Sequence, residues 1–268
     1  GPLGKKDMRT NATSFKVPGE QPGGPKAWDE YAVSPAHHGV GLQVINDKAG
    51  YISRWSVAAS YAYHKPLTAR TSLAAGLNVG MSSVSLDRSK IEWGSLDPLD
   101  PAVGYNNGSI SRIKPEIGAG LWLYSARYFL GVSVLNIIPG KANFVKDSNY
   151  GETFTPNFFA SGGYRFAMTD DISVLPSVMV QYWQPQLTAL HANVKLQYQD
   201  FLWVGGSYRF ADLVGGYSGM IGVNISNTFN ISYAYEHATS SRLQSYTNGT
   251  HEVVLGFLIG NKYGDICP

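Results

Sequence analysis

Six histidines, one cysteine and a few clustered carboxylates are the side chains through which this chain could do chemistry. Acyl transfer needs a His beside a Ser, with a polar group to orient the ring. His237 precedes Ser240, and His251 sits in Asn248-Gly249-Thr250-His251-Glu252, but neither forms a nucleophile signature, and both read as rim residues. His37 and His38 adjoin each other at an expected turn; neighbours on a strand face opposite ways, so they make a poor metal pair. "TDD" at 169–171 and "DPLD" at 97–100 gather carboxylates that a turn and a long loop explain. Gly215-Gly216-Tyr217-Ser218 and Gly118-Ala119-Gly120-Leu121 lack the strand–loop–helix setting of a phosphate loop. Asn248-Gly249-Thr250 matches a glycosylation sequon, which would require a eukaryotic secreted context that no other feature supports. Cys267 stands alone, so it makes no internal disulfide and no metal cluster, and reads as a free thiol in a loose tail. The expectation is therefore no catalytic residue, no cofactor and no metal.

The elements that carry these residues explain more than the residues do. Charged residues make up 15% of the 268, well below the roughly 25% usual in soluble domains. Glycine (30), tyrosine (17) and tryptophan (6) are plentiful, and the net charge is only +2 with no basic run. Nothing here points to nucleic acid. A surface that is not mainly water-facing fits this composition, and so does a glycine-rich soluble β-protein. The most apolar stretch, "YFLGVSVLNII" at 128–138, is too short for a membrane-spanning helix and is interrupted by Gly131, Ser133 and Asn136; such a helix needs about 20 residues. The chain opens at "GPLGKKDM" without an initiator Met, so an export signal is expected to have been removed or to lie upstream.

Period-two alternation recurs in blocks of roughly ten residues closed by Gly, Asn, Asp, Pro or Ser. In 54–81, Trp55, Val57, Ala59, Tyr61 and Tyr63 alternate with Ser56, Ala58, Ser60 and Ala62; after a turn, Leu73, Ala75, Leu77, Val79 and Met81 alternate with small or polar residues. The spacing predicts fourteen strands, at 8–15, 27–35, 38–46, 52–64, 70–85, 113–124, 127–136, 153–167, 171–183, 187–199, 201–211, 216–226, 228–238 and 249–260. Every long connection (16–26, 86–112, 137–152, 239–248) falls at one end, with shorter ones at Asp47–Tyr51, Gln184–Gln186 and Ala211–Gly215, and only short turns fall at the other. Short periplasmic turns and longer extracellular loops are the pattern of bacterial outer-membrane barrels. An even strand number would put both termini on the short-turn side, in the periplasm.

Fourteen strands enclose more space than side chains can fill, since a barrel of about eight already reaches that limit. The apolar face must then meet lipid, and the small, polar face the lumen. The expected fold is a single all-β domain over 1–268, a closed transmembrane antiparallel β-barrel. Trp55, Tyr61, Tyr63, Trp122, Tyr124, Tyr128, Tyr182, Trp183, Trp203 and Tyr208 cluster toward strand ends, as lipid-interface aromatics do. The loops at 86–112 and 137–152 carry Trp93, Leu96, Leu99, Tyr105, Phe144, Val145 and Tyr150, which suit partner docking, a plug or loop self-packing alike.

Several segments, in order, carry a family resemblance. Gly39-Val40-Gly41-Leu42 is followed by Asn46-Asp47, Gly50 and Tyr61-Ala62-Tyr63, then by Leu77 and Gly80. "KPEIGAGLWLY" (114–124) precedes "FLGVSV" (129–134); "LWVGGSYRF" (202–210), "ISYAYE" (231–236), "THEVVLGF" (250–257) and the Cys267-Pro268 ending follow. From residue 27 onward the chain resembles the PorP/SprF family of outer-membrane barrels of the type IX secretion system. The family's signal peptide and an Asn-Pro-Ala-x-Ala-Gly-like stretch would be expected ahead of the first strand, and this sequence begins about where that stretch should end. The resemblance implies a non-enzymatic partner in protein export and gliding motility, without cofactors. One branch is associated with the periplasmic secretion-ring proteins. Another pairs with surface adhesins and handles their C-terminal domains. A passive outer-membrane porin is the alternative, and a hydrolase ranks last.

Overall fold

The computed structural model describes residues 36–49, 52–87, 109–125, 127–138, 140–143, 151–169, 171–183, 187–199, 201–211, 215–226, 229–239 and 249–257. Among these there is no helix. In chain order the strands are β1 (His37–Ala49), β2 (Ile52–Pro66), β3 (Thr71–Asp87), β4 (Ser109–Ser125), β5 (Tyr128–Leu135), β6 (Gly140–Asn143), β7 (Gly151–Phe154) and β8 (Asn157–Tyr164). They continue with β9 (Phe166–Ala167), β10 (Ile172–Trp183), β11 (Leu187–Tyr198), β12 (Leu202–Phe210), β13 (Gly216–Ser226), β14 (Phe229–Ala238) and β15 (Thr250–Phe257).

Thirteen of these form one antiparallel sheet in sequence order, β1-β2-β3-β4-β5-β8-β10-β11-β12-β13-β14-β15, with the two-residue β9 paired to β10. Among the described residues β1 and β15 are the two ends of this path and do not pair with each other. The expected strands at 8–15 and 27–35 lie outside the described residues. Each of the other twelve expected blocks coincides with a strand of the path. Several ladders outrun the apolar pattern: β3 pairs with β4 from Thr71↔Ser125 to Asp87↔Ser109. Hydrogen bonding between backbones does not require the side chains to keep alternating.

Two local departures have physical reasons. The expected strand at 153–167 is divided twice: residues 153–154 end β7 of a separate sheet, with Thr155-Pro156 outside any strand, and Arg165 breaks it again, its amide donating to the Arg127 carbonyl (2.6 Å) instead of joining the β10 ladder. Residues 137–152, expected as a plain loop, contain all of β6 and the first two residues of β7, which pair as a separate hairpin. Gly140-Lys141-Ala142-Asn143 and Gly151-Glu152-Thr153-Phe154 show no alternation that would reveal it.

The connections sort by end as expected. Segments 67–70, 126–127, 168–171, 199–201 and 227–228 join strands at one end, while 88–108, 136–156 and 239–249, together with the short 50–51, 184–186 and 211–215, join them at the other. The "TDD" turn is built by Thr169, whose Oγ1 accepts from the Asp171 and Ile172 amides at 3.3 and 3.0 Å. Its carboxylate Asp171 accepts from Gln199 at 3.2 Å. These are turn-closing contacts, as the sequence implied.

The register defines two faces. Directly opposed residues share a face, so Val40, Tyr61, Leu77, Ala119, Val134, Phe158 and Tyr182 form one row across six ladders. The neighbouring row on the other face is Gly39, Ala62, Gly76, Gly120, Ser133 and Phe159. Val40 is 86% exposed, whereas Ser72 and Ser82 are 2% and 0% exposed. No helix or second large sheet covers the serine face among the described residues. Its burial therefore comes from side chains of the same and neighbouring strands that lie over the small residues. The apolar face points outward and the small, polar face inward.

The inward glycines make that wall thin. A Cβ at Gly131 would collide with the Trp122 ring, and one at Gly222 with the Trp203 ring; one at Gly163 would lie 2.6 Å from Phe129. Each glycine is the register partner, or a diagonal neighbour, of the ring above it. The rings thus lie flat along the wall instead of standing into the lumen. Gly222→Leu is expected to lower stability by about 1–3 kcal/mol through overpacking, read as a lower melting point of the heat-modifiable folded band. Gly219→Ala, where an added Cβ meets nothing within 4 Å, should leave that band unchanged.

Candidate functional site

Side chains that could act chemically divide between the two faces according to the pleat. His37 and His38 lie on β1, not in a turn. The turn expected there gives way because the β1–β2 ladder continues to His37↔His64. His37 faces inward and stacks on His64 at 4.6 Å, while His38 faces outward, its Nδ1 2.6 Å from the Tyr61 hydroxyl. Inside, His64 Nδ1 also meets the Tyr124 hydroxyl at 2.9 Å. On the outer face His251 Nδ1 meets the Tyr233 hydroxyl at 2.7 Å, and His237 packs against Tyr217. These imidazoles sit with phenols, not with a serine and an acid. Among the described residues no group of three or more His, Cys, Asp or Glu side chains is placed to hold a metal ion. Ser240, Asn248 and Cys267, together with Asp97 and Asp100, lie outside the described residues.

The inner wall carries the charges. Glu116 on β4 accepts from Arg54 on β2 at 3.1 Å and lies 3.7 Å from Lys114 Nζ. Arg54 can reach across because Ser56, Ala58, Gly80 and Ser82 stand between in the register. Arg209 pairs with Glu236 at 3.0 Å across β13. Arg165, buried at the break between β8 and β9, donates to Gln197 at 2.9 Å. Lys195 sits over the Trp203 ring at 4.1 Å. Small residues leave grooves along the wall, and long polar side chains lie down in them and pair. A cavity of about 700 Å3 opens on this side, lined by His37, His64, Asn78, Trp122, Tyr124 and Ser161 among others.

The structure separates the ten aromatics that the sequence grouped together. Trp55, Tyr61, Tyr63, Tyr128, Tyr182 and Tyr208 share the outer face with the exposed aliphatic residues. Trp122, Tyr124 and Trp203 face inward, Tyr124 being 5% exposed, and so do not stand on the lipid-facing side. Trp183, at the end of the β10 ladder, is on the inward alternation and 45% exposed. Sequence alone missed why inward rings are tolerated: the glycines beneath them come into register only in the folded sheet. It also missed the outer His38, Tyr164 and Phe166 near the short-turn end and Tyr217, His237 and His251 near the long-loop end. Most of these rings stand toward strand ends, while aliphatic residues such as Val132 and Val178 stand at the middle of β5 and β10. Trp93, Leu96, Leu99, Tyr105, Phe144, Val145 and Tyr150 all lie outside the described residues.

The wall pairs are open to measurement. Their side chains remain partly exposed, 30% for Arg209 and 42% for Glu236. A double-mutant cycle of Arg209→Ala with Glu236→Ala should give a coupling of about 0.2–1 kcal/mol, shrinking with added salt. Denaturant unfolding of the refolded protein reads it out.

A search of curated proteins gives no match to this chain. A family model does match: Type IX secretion system membrane protein PorP/SprF, over residues 26–257. That span includes every strand described above, along with the segments that carried the resemblance except the Cys267-Pro268 ending. With apolar residues outward, a polar thin-walled interior and a match of this extent, the chain belongs to the PorP/SprF family of type IX secretion membrane proteins, and its fold is that family's transmembrane antiparallel β-barrel.

Proposed function

We propose that the protein is a non-enzymatic outer-membrane partner in type IX secretion that helps export or anchor a surface protein. The single observation that carries this reading is the family match over 26–257. In this reading the short-turn end and both termini face the periplasm, and the long connections, with the β6–β7 hairpin, face outside. The outer rings toward strand ends sit at the two bilayer interfaces. Trp93, Leu96, Leu99, Tyr105, Phe144, Val145 and Tyr150 form the docking surface for the secreted protein, such as the C-terminal domain of an adhesin. Attachment of periplasmic ring proteins, and a share in gliding motility, belong to the same reading.

Isolation from native membranes in mild detergent, followed by mass spectrometry, tests it. A large surface protein or a secretion-ring component is expected in stoichiometric amount. Replacing Trp93 and Leu99 together by Ala should release the surface protein at least tenfold while leaving the barrel in the outer membrane.

The flat-lying inner side chains favour a second reading, a passive porin. If the purified barrel comes out alone and conducts ions in planar bilayers, the porin reading replaces the first. In that case Glu116→Gln, which leaves Arg54 and Lys114 facing each other, should shift selectivity toward anions.

A further inference from the structure

The outer face is not evenly filled. Between β2 and β10 it sinks into an apolar depression of about 820 Å3. The register produces it. Tyr63 is followed across the strands by Ala75, Leu121, Val132, Ala160 and Val180, and Tyr61 by Leu77, Ala119, Val134, Phe158 and Tyr182. Alanines at 75, 119 and 160 form a low floor, with the two tyrosines on one side and Phe158 and Tyr182 on the other. The volume lies within the range of ligand clefts, about 300–1,000 Å3.

We propose that this groove holds one acyl chain of a membrane phospholipid, with its head group at the His38–Tyr61 corner. The groove is continuous with the apolar face that meets the bilayer. Hydrocarbon offers no water to fill a depression, and an empty one forfeits the dispersion contacts of its lining. The substance already lying against the wall is a flexible acyl chain, and a groove floored by methyl groups holds it more closely than a convex surface does. One end of the groove is polar: His38 and Tyr61 are hydrogen-bonded to each other at 2.6 Å, with Tyr63 beside them, its ring 5.0 Å from that of His38. The lining includes no arginine or lysine. One imidazole and two phenols suit a single phosphodiester, whereas a lipid with several phosphates would need several cations.

The full chain, produced in a bacterium with an outer membrane and extracted in mild detergent, can be examined by native mass spectrometry with lipid identification. The expected result is one phospholipid retained per chain. Ala119→Phe should reduce that occupancy at least tenfold. Ala160→Leu, at a position already exposed on the outer face, should do the same without risk to the interior, and the unheated folded band reports that both variants have folded. Wild-type protein that retains no stoichiometric phospholipid overturns the proposal. So does equal retention by folded filled variants, which would mark the lipid as loose solvent of the whole surface. Retention of a lipopolysaccharide, a lipoprotein chain or a protein in place of a phospholipid overturns it as well.

Discussion

Hydrocarbon supplies no hydrogen-bond partners, so each backbone amide and carbonyl that crosses a bilayer must be satisfied inside the protein. Most features of this chain follow from that demand. It has no helix among its described residues, and its strands pair with sequence neighbours in one continuous antiparallel order, the arrangement that satisfies backbones with the shortest connections. Side chains contribute little to this bonding, which lets ladders such as β2–β3 run from Ile52↔Leu86 to Pro66↔Ser72, past the end of the apolar pattern. The side chains are instead selected by what each face meets, and the two faces meet different solvents.

On the outward face, aliphatic residues and rings alternate with the inward small ones, and many of the rings stand toward strand ends. On the inward face, serine, alanine and glycine dominate, and the few long residues are paired or laid flat. Arg54 and Lys114 share Glu116, and Arg209 is held by Glu236, so the charge along the wall is partly paired, with two cations on one carboxylate at the first cluster. These pairs are partly exposed and contribute little to stability. Their effect is on the electrical character of the interior: a wall of unpaired like charges would repel one class of solute and collect the other.

Much of this was legible in the sequence, for a definite reason. A period of two converts directly into a face, so Val57 and Ser56, or Leu77 and Asn78, could be assigned to opposite sides without coordinates. Loop lengths were legible too, because Gly, Asn, Asp and Pro punctuate the blocks. Facts that depend on register were not. Trp122, Tyr124 and Trp203 look like interface aromatics until Gly131 and Gly222 are known to lie beside the tryptophans. The histidine pair at 37–38 looks like a turn until His37 is found opposite His64. The small β6–β7 hairpin has no alternation to announce it. Nor could the outer depression be read, since Ala75, Ala119 and Ala160 are far apart in the chain and meet only across four strands. Residue type reports the face; only pairing reports the neighbour.

The rings that rest on glycines also bear on how such a wall can change over evolutionary time. Trp122 and Gly131, or Trp203 and Gly222, each occupy one shared volume divided unequally between two strands. Enlarging the glycine first meets a ring, and shrinking the ring first leaves a bare gap, so neither single step is neutral. The bore of the barrel is therefore inherited in couples, and it can be retuned, one couple at a time, without disturbing any residue on the lipid side.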